Sequence, residues 1–305
     1  MTYEEKLARF NGYIEEGGKV EAKDWMPDDY RAGVLKFIEM HANSEIMGAL
    51  PEREVLPQAP TLRRKMSLCA KIQDEVGHSQ LLYRVAEDLG KSRDAMYADL
   101  VHGRSKFHNV FHYPVKHWGD AAIIGWLIDG AALVTQAALL ESSYAPYTRV
   151  LKRICSEEQL HLRHGEYMTM ELASGTDAQR EMFQEGLNRW WLPIIHFFGP
   201  RSNVEKDLLL RWKVKTQTNE NLRQEFLDRY VPKVLELGFT FPTPVLVQED
   251  GHWVVRDEEI DWAPLEAIKR NEGPETERRL TKRRELYESH RWVREALAEP
   301  AIHAA

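Results

Sequence analysis

Apolar residues recur at three- and four-residue steps over most of the chain, and the alternation a half-buried strand needs is rare. Ala, Leu, Glu, Lys, Arg and Met fill the long periodic segments. The pattern predicts helices over Asp28–Ala49, Thr61–Leu89, Ser92–His102, Asp120–Ser142, Tyr147–Ser174, Ala178–Phe198 and Val204–Leu237, with two or three shorter ones after Trp262. Breakers fall between them: Pro51, Pro57 and Pro60, then Pro146, Ser174-Gly175 and Gly199-Pro200. Ser92 and Asp177 are placed as N-caps. From Pro244 to Arg256 the pattern changes to two short apolar runs around Asp250-Gly251, which predicts a small hairpin. The tail from Arg278 is rich in Arg, Lys and Glu and reads as a solvated helix or a docking arm.

Ala121–Leu140 is the longest apolar stretch, but Gly125, Asp129, Gly130 and Gln136 interrupt it, so it reads as a buried core helix and not a membrane span. Met1–Glu15 is polar and carries no apolar leader core. The formal charge of −7 argues against a nucleic-acid surface. Cys69 and Cys155 have no Cys-x-x-Cys partner, which argues against a disulfide framework or thiolate metal site. The expectation is a cytoplasmic protein without membrane or nucleic-acid partners. Its residues 1–240 form one helical domain, and residues 241–305 form an extension of the same unit.

The candidate chemistry lies in a repeated spacing. Glu75 to His78 and Glu158 to His161 are Glu-x-x-His steps on predicted helices, and lone carboxylates Glu45 and Asp129 stand thirty and twenty-nine positions upstream. Residues three apart share a helix face, so each step offers a carboxylate and an imidazole to one point. Composition alone produces about one such step by accident in a chain like this. The third, Glu249 to His252, lies across the predicted turn and is that accident. Two helical hairpins facing each other would bring four carboxylates and two imidazoles together, the ligand inventory of ferritin-like di-metal bundles.

Asp129 lies in an apolar run, where an unpaired charge costs several kcal/mol. A metal resolves that conflict, as would a core cation or a helix end. The midpoint of the second hairpin falls at Ser143-Tyr144, at the predicted turn, but that of the first falls at Pro60. Either the first helix continues past Pro51 or the connection runs back along the bundle. Asp74 and Glu157, each one position before a Glu-x-x-His step, point about 100° away and are placed to accept a hydrogen bond from the imidazole of the facing helix. Carboxylate-rich coordination without thiolate suits iron or manganese, and six ligands match two ions.

At these residues the chain resembles the catalytic A subunits of bacterial phenylacetyl-CoA epoxidases. The resemblance runs over about residues 20–240, through Asp24-Trp25-Met26-Pro27, His41-Ala42-Asn43-Ser44-Glu45-Ile46, Ala59-Pro60-Thr61-Leu62-Arg63-Arg64-Lys65, Lys71-Ile72-Gln73-Asp74-Glu75-Val76-Gly77-His78 and Arg211-Trp212-Lys213-Val214-Lys215. It implies an all-α, ferritin-like four-helix bundle with extra helices and a small C-terminal β-hairpin. It also implies a di-iron centre held by Glu45, Glu75, His78, Asp129, Glu158 and His161, which activates O2 to epoxidise the ring of an aryl-CoA thioester. Electrons would come from NADPH through a separate flavin and iron–sulfur reductase. The other partners would be a small bridging subunit, together with a sister ferritin-like subunit.

For the CoA moiety the resemblance points to Lys215 and Asn219, four apart on a predicted helix face, and to Lys36 and the loop of Lys106, Phe107, His108 and Asn109. Arg63, Arg64, Lys65, Lys71, Lys213 and Lys215 make two basic clusters suited to phosphates at a pocket mouth. His112 and His117 have no ligand spacing, His164 reads as surface or as a neighbour of the site, and Trp190-Trp191 and His196-Phe197-Phe198 read as core or interface. An iron-storage protein, a scaffold subunit with a relic site, or an oxygenase for another thioester such as benzoyl-CoA are the competing readings.

Overall fold

A computed structural model describes residues 1–298 of the chain. Four long helical rods make a ferritin-like bundle. They are α2 (Asp28–Val55), α3 (Leu62–Glu87), the rod Trp118–Leu139, and α7 (Ala145–Ala173). Before the bundle comes α1 (Tyr3–Glu15), and between α3 and the third rod lies α4 (Arg93–Val101). The third rod joins α5 (Trp118–Ile123) to α6 (Asp129–Leu139) through a π-turn at Ile124–Ile128. Against the bundle pack α8 (Asp177–Phe198), the short α9 (Leu208–Arg211) and α10 (Asn219–Glu236).

Each bundle rod reads the same way along its length: apolar, then charged, then apolar. On α2, Val34, Ile38 and Ala42 belong to one buried cluster and Val55 to another, with Glu45 and Glu52 between them. On α7, Leu151 and Ile154 join the first cluster and Met168 and Leu172 the second, with Glu158 and His161 between. Leu68 and Leu82 bracket Lys71, Glu75 and His78 on α3 in the same sense. Within the bundle, two apolar clusters thus enclose a charged layer, and a third, smaller cluster of Met47, Leu100, Phe107 and Leu280 joins the outside of α2 to α4 and to the later helix Thr276–Ser289.

Several expectations change. The first bundle helix does not end at Ala49; it runs through Pro51 to Val55 and buries Glu52. A proline inside a helix removes one donor and strains one turn, but it need not stop a helix whose next turn is packed. This continuation resolves the offset of the first hairpin. The span Val204–Leu237 is not one helix. Asp207 caps α9, Lys213 takes φ 52°, and Thr218 caps α10 afresh. Lys215 therefore lies in a connection and Asn219 opens a helix, so the two do not share a helical face. The cap of α8 is Thr176, in a capping box with Gln179, and not Asp177.

A helix the periodicity did not suggest, α1, starts from a Thr2–Glu5 capping box and buries Phe10 and Ile14. Trp118–Leu139 is long and apolar enough to cross a membrane by composition, but 78% of its apolar window is buried within the fold.

Beyond α10, strands β1 (Val247–Glu249) and β2 (His252–Val254) pair antiparallel, with Asp250 at φ 49° and Gly251 at φ 87°, the turn geometry that Asp-Gly favours. This segment is tied to the bundle by Trp191 Nε1–H to Pro244 O, His196 to Asp261 O and the Arg223–Asp257 pair. The helices α11 (Ala263–Lys269), α12 (Thr276–Ser289) and α13 (Arg291–Ala298) follow, and α12 packs against α4.

The π-turn and α7 approach so closely that a Cβ on Gly165 would fall 1.9 Å from the Gly125 carbonyl carbon. Gly165→Ala should therefore destabilise the protein by about 3 kcal/mol in urea melts, as overpacking against backbone does. Gly77→Ala, on an exposed face of α3 with nothing within 4 Å, should instead stabilise it by roughly 0.5–1 kcal/mol.

Candidate metal centre

Four helices deliver the charged layer. On α3, Lys71, Glu75 and His78 follow at steps of four and three and are all buried. Glu158 and His161 face them from α7, and Glu45 and Glu52 from α2. Asp129 enters from the first turn of α6, directly after the π-turn, where one extra residue in the helical turn sets its direction. Glu45, Glu75, His78 and Glu158 each present a ligand atom, and these atoms lie within 4.8 Å of one another. His161 Nδ1 stands 3.2 Å from Glu158 Oε2 and 3.7 Å from Glu75 Oε1.

Asp129 is turned to a different partner. Lys71 Nζ donates to Asp129 Oδ2 at 2.5 Å, pairs closely with Glu52, and lies 3.8 Å from Glu75. The core cation weighed for Asp129 exists, and it is Lys71. That lysine therefore does not belong to a basic cluster at the pocket mouth. It is 4% exposed and sits at the centre of the layer. Glu52 escaped notice for the same reason: it lies two helical turns after Glu45, on a face the sequence assigned to a loop.

The two acids beside the motifs reach across to the opposite helix as expected. His78 Nε2 meets Glu157 Oε2 at 2.8 Å, and His161 Nε2 meets Asp74 Oδ2 at 3.1 Å. Each Nε2 is thereby held at the rim, and each Nδ1 faces the buried carboxylates. A further relay reaches Glu45: His41 Nε2 lies 2.7 Å from Glu45 Oε1, and its Nδ1 lies 2.7 Å from the buried Tyr147 hydroxyl. His41 is one turn before Glu45, a spacing that could have flagged it.

Burial sets the protonation of this layer. It raises Glu75 well above the carboxylate range, and Glu158 and Glu45 push it further. Burial also acts on Glu45 and Glu158, but the imidazoles beside them, His41 and His78 at the first and His161 and His78 at the second, hold both below the ordinary value. Burial alone would depress Lys71, yet Asp129, Glu52 and Glu75 hold its ammonium well above the usual lysine range.

Beside the layer lies a cavity of about 270 Å³, walled by Phe37, Met40, Phe111, Phe197, Phe198 and Leu222, with Glu45, Glu75, Asp129 and Glu158 on its inner side. Lys215, Asn219 and His108 also line it. Lys215 Nζ donates to Asp207 Oδ2 at 3.0 Å and Asn219 Oδ1 at 3.2 Å. Lys215, Thr216 and Gln217 also border a second depression of about 550 Å³, which Lys19, Arg211 and Lys213 line.

The other candidates are elsewhere. Lys36 is exposed, and Lys106 Nζ donates to Asn271. Phe107 stacks on His112 and Asn109 donates to Pro193 O, which are packing roles. His164 is half-buried, and His112 and His117 pair with Thr276 and Glu185 away from the layer. Trp190 and Trp191 are core, whereas Phe197 and Phe198 belong to the cavity wall as well as the core.

Residues 3–292 match the model of a family described as phenylacetic acid catabolic protein, which reaches into the segment beyond residue 240. The chain is 44% identical, over 97% of its own length and 96% of the relative's, to the A subunit of the 1,2-phenylacetyl-CoA epoxidase of Escherichia coli (strain K12).

Removing the Lys71 ammonium should leave Glu52 and Asp129 as buried, uncompensated carboxylates. Lys71→Met should cost the metal-free protein about 3–5 kcal/mol in urea unfolding, and the Lys71→Met/Glu52→Gln double variant should recover part of that loss.

Proposed function

The chain belongs to the phenylacetic acid catabolic protein family, and from that premise we propose that it is the catalytic subunit of a di-iron monooxygenase that epoxidises the ring of phenylacetyl-CoA. One oxygen atom of O2 enters the ring and the other leaves as water. The observation that carries this reading is the convergence of buried carboxylates and imidazoles beside an apolar, ring-sized cavity, in a chain 44% identical to an epoxidase subunit.

The donor set fits a pair of iron ions. It is rich in carboxylate, contains two imidazoles and no thiolate. His78 Nδ1 is buried and makes no hydrogen bond, although Glu45 and Glu158 lie 3.7 and 3.2 Å away. A buried nitrogen aimed at two carboxylates but bonded to neither leaves the place that a cation between them would fill. Glu45, Glu75, His78, Asp129, Glu158 and His161 would hold the ions. When bound, the iron pair supplies the redox chemistry of O2 that these side chains lack, with electrons from NADPH through a separate flavin and iron–sulfur reductase.

The chain's own residues do the rest. Glu157 and Asp74 fix the two imidazoles at Nε2 and so keep Nδ1 on the ligand side. Phe37, Met40, Phe111, Phe197 and Phe198 exclude water from the place of the ring. Lys215, steadied by Asp207 and Asn219, offers a cation where the thioester leaves the cavity towards the depression lined by Lys19 and Lys213. Lys36 and Lys106 are exposed and able to meet more distant phosphates, and His108 borders the ring.

The relative is named as one subunit of an enzyme, which implies an assembly. Leu62, Met66 and Val76 on α3, with Leu160, Tyr167 and Met170 on α7, expose large apolar side chains on two adjacent helices. We assign this face to the sister ferritin-like subunit. The reductase and a small bridging subunit complete the complex, which works in the cytoplasm. Residues 241–305 act as part of the same unit as residues 1–240.

Purified protein should contain about two irons per chain, since six ligands match two ions. Glu75→Ala or Glu158→Ala should abolish metal and turnover together, by iron analysis and product assay. Asp74→Asn and Glu157→Gln should keep the fold, by circular dichroism, and lower iron affinity about 10–100-fold. Mass spectrometry of the reconstituted system should find an oxygenated aryl-CoA product only with O2, reductase and thioester all present. Oxidation of free phenylacetate at a similar rate would refute the thioester assignment.

A further inference from the structure

The C-terminal helices build a second concave site on the back of α2. A cleft of about 350 Å³ forms between Leu50, Arg53 and Glu54 of α2, Tyr97 of α4, and the facing sides of α12 and α13. None of its lining residues lines the cavity beside the charged layer. Six cations converge on it, Arg53, Arg278, Arg279, Lys282, Arg283 and Arg294, against one carboxylate, Glu54. This is anomalous in a chain of formal charge −7.

The one acid is already shared. Glu54 accepts from Arg278 at 2.7 Å and from Arg279 at 2.9 Å. Among the described residues, Arg53, Lys282, Arg283 and Arg294 pair with no carboxylate. Arg283 is half-buried: it donates to Ile46 O and faces the Tyr97 hydroxyl at 3.4 Å, and its Nε is buried without a partner. A guanidinium withdrawn from water without a counter-charge is costly, and an anion that fills the cleft removes the cost. Two aromatic walls stand beside the cations, Tyr97 and Tyr287, whose rings meet edge-on at 5.8 Å, with the Arg294 guanidinium 3.6 Å from the Tyr287 ring centre.

From this convergence we propose that the cleft between α2, α4 and α12 binds an organic phosphate of the nucleoside diphosphate class. The phosphates would lie between Arg53, Lys282 and Arg283 and the base against the tyrosines. A concave site with partly buried guanidiniums and a volume in the range of small-ligand pockets suits a compact polyanion better than the flat face of a protein. Through Arg283 and the Ile46 carbonyl, such a ligand would touch α2 immediately behind Glu45.

The test is calorimetric titration of ADP and of sodium pyrophosphate into the full-length chain at fixed ionic strength. It is repeated with Lys282→Gln/Arg294→Gln and, on a separate helix, with Arg53→Gln, each checked by melting temperature. Both probes should saturate one site, ADP more tightly than pyrophosphate, and each set of substitutions should weaken ADP at least tenfold without lowering the melting temperature. No saturable heat, unchanged affinity in the variants, or ADP no tighter than pyrophosphate would each overturn the proposal. So would ADP binding that is lost in Lys215→Gln and kept in the cleft variants, since that places the nucleotide in the proposed CoA channel. A polyglutamate peptide that binds more tightly than ADP and depends on the same cations would reassign the cleft to an acidic protein partner.

Discussion

Five carboxylates, two imidazoles and one ammonium are buried in a single layer across the bundle. That burial is the constraint on which the rest of the structure depends. Each ionised group withdrawn from water costs several kcal/mol unless something compensates it, and here compensation is collective. Lys71 answers Glu52 and Asp129, His41 and His78 answer Glu45, and His161 answers Glu158. A layer of this kind does not stabilise a bundle as well as leucine would. Its presence across four helices marks a place where stability has been given up for chemistry.

The local irregularities are the means of closing that layer. The π-turn ahead of Asp129 rotates one carboxylate into it. The passage of α2 through Pro51 extends the same face far enough to add Glu52. The two bare glycines at Gly125 and Gly165 let the third rod and α7 approach at the level of the site. Above and below, two ordinary apolar clusters supply the folding energy. The same layer opens on one side into a cavity with apolar walls, so a ring held there would lie directly against the carboxylates.

The back of α2 has a different character. There, C-terminal helices gather cations in excess, in a segment whose sequence suggested only a solvated helix or a docking arm. One helix thus carries acids on its inner face and takes part in a basic cleft on its outer one.

How much of this was legible beforehand depends on range. Helix periodicity, the Asp-Gly hairpin and the two Glu-x-x-His steps are local, and they fixed the all-α class, the six candidate ligands and even the crossed pairs His78–Glu157 and His161–Asp74. Those pairs follow from helix geometry alone, because a residue 100° off the ligand face points at the neighbouring helix. Lys71, in contrast, looked like one more surface cation. Only the packing of α2 and α6 against α3 decided that it lies beside Asp129, since no local pattern states which helix will face which. The break at Lys213, the cavity wall from Phe197 and Phe198, and the meeting of Arg53 with Arg283 across more than two hundred residues are of the same kind. Sequence by itself determined what each helix carries on each face. Tertiary structure decided which faces meet, because burial and charge balance are properties of all the helices at once.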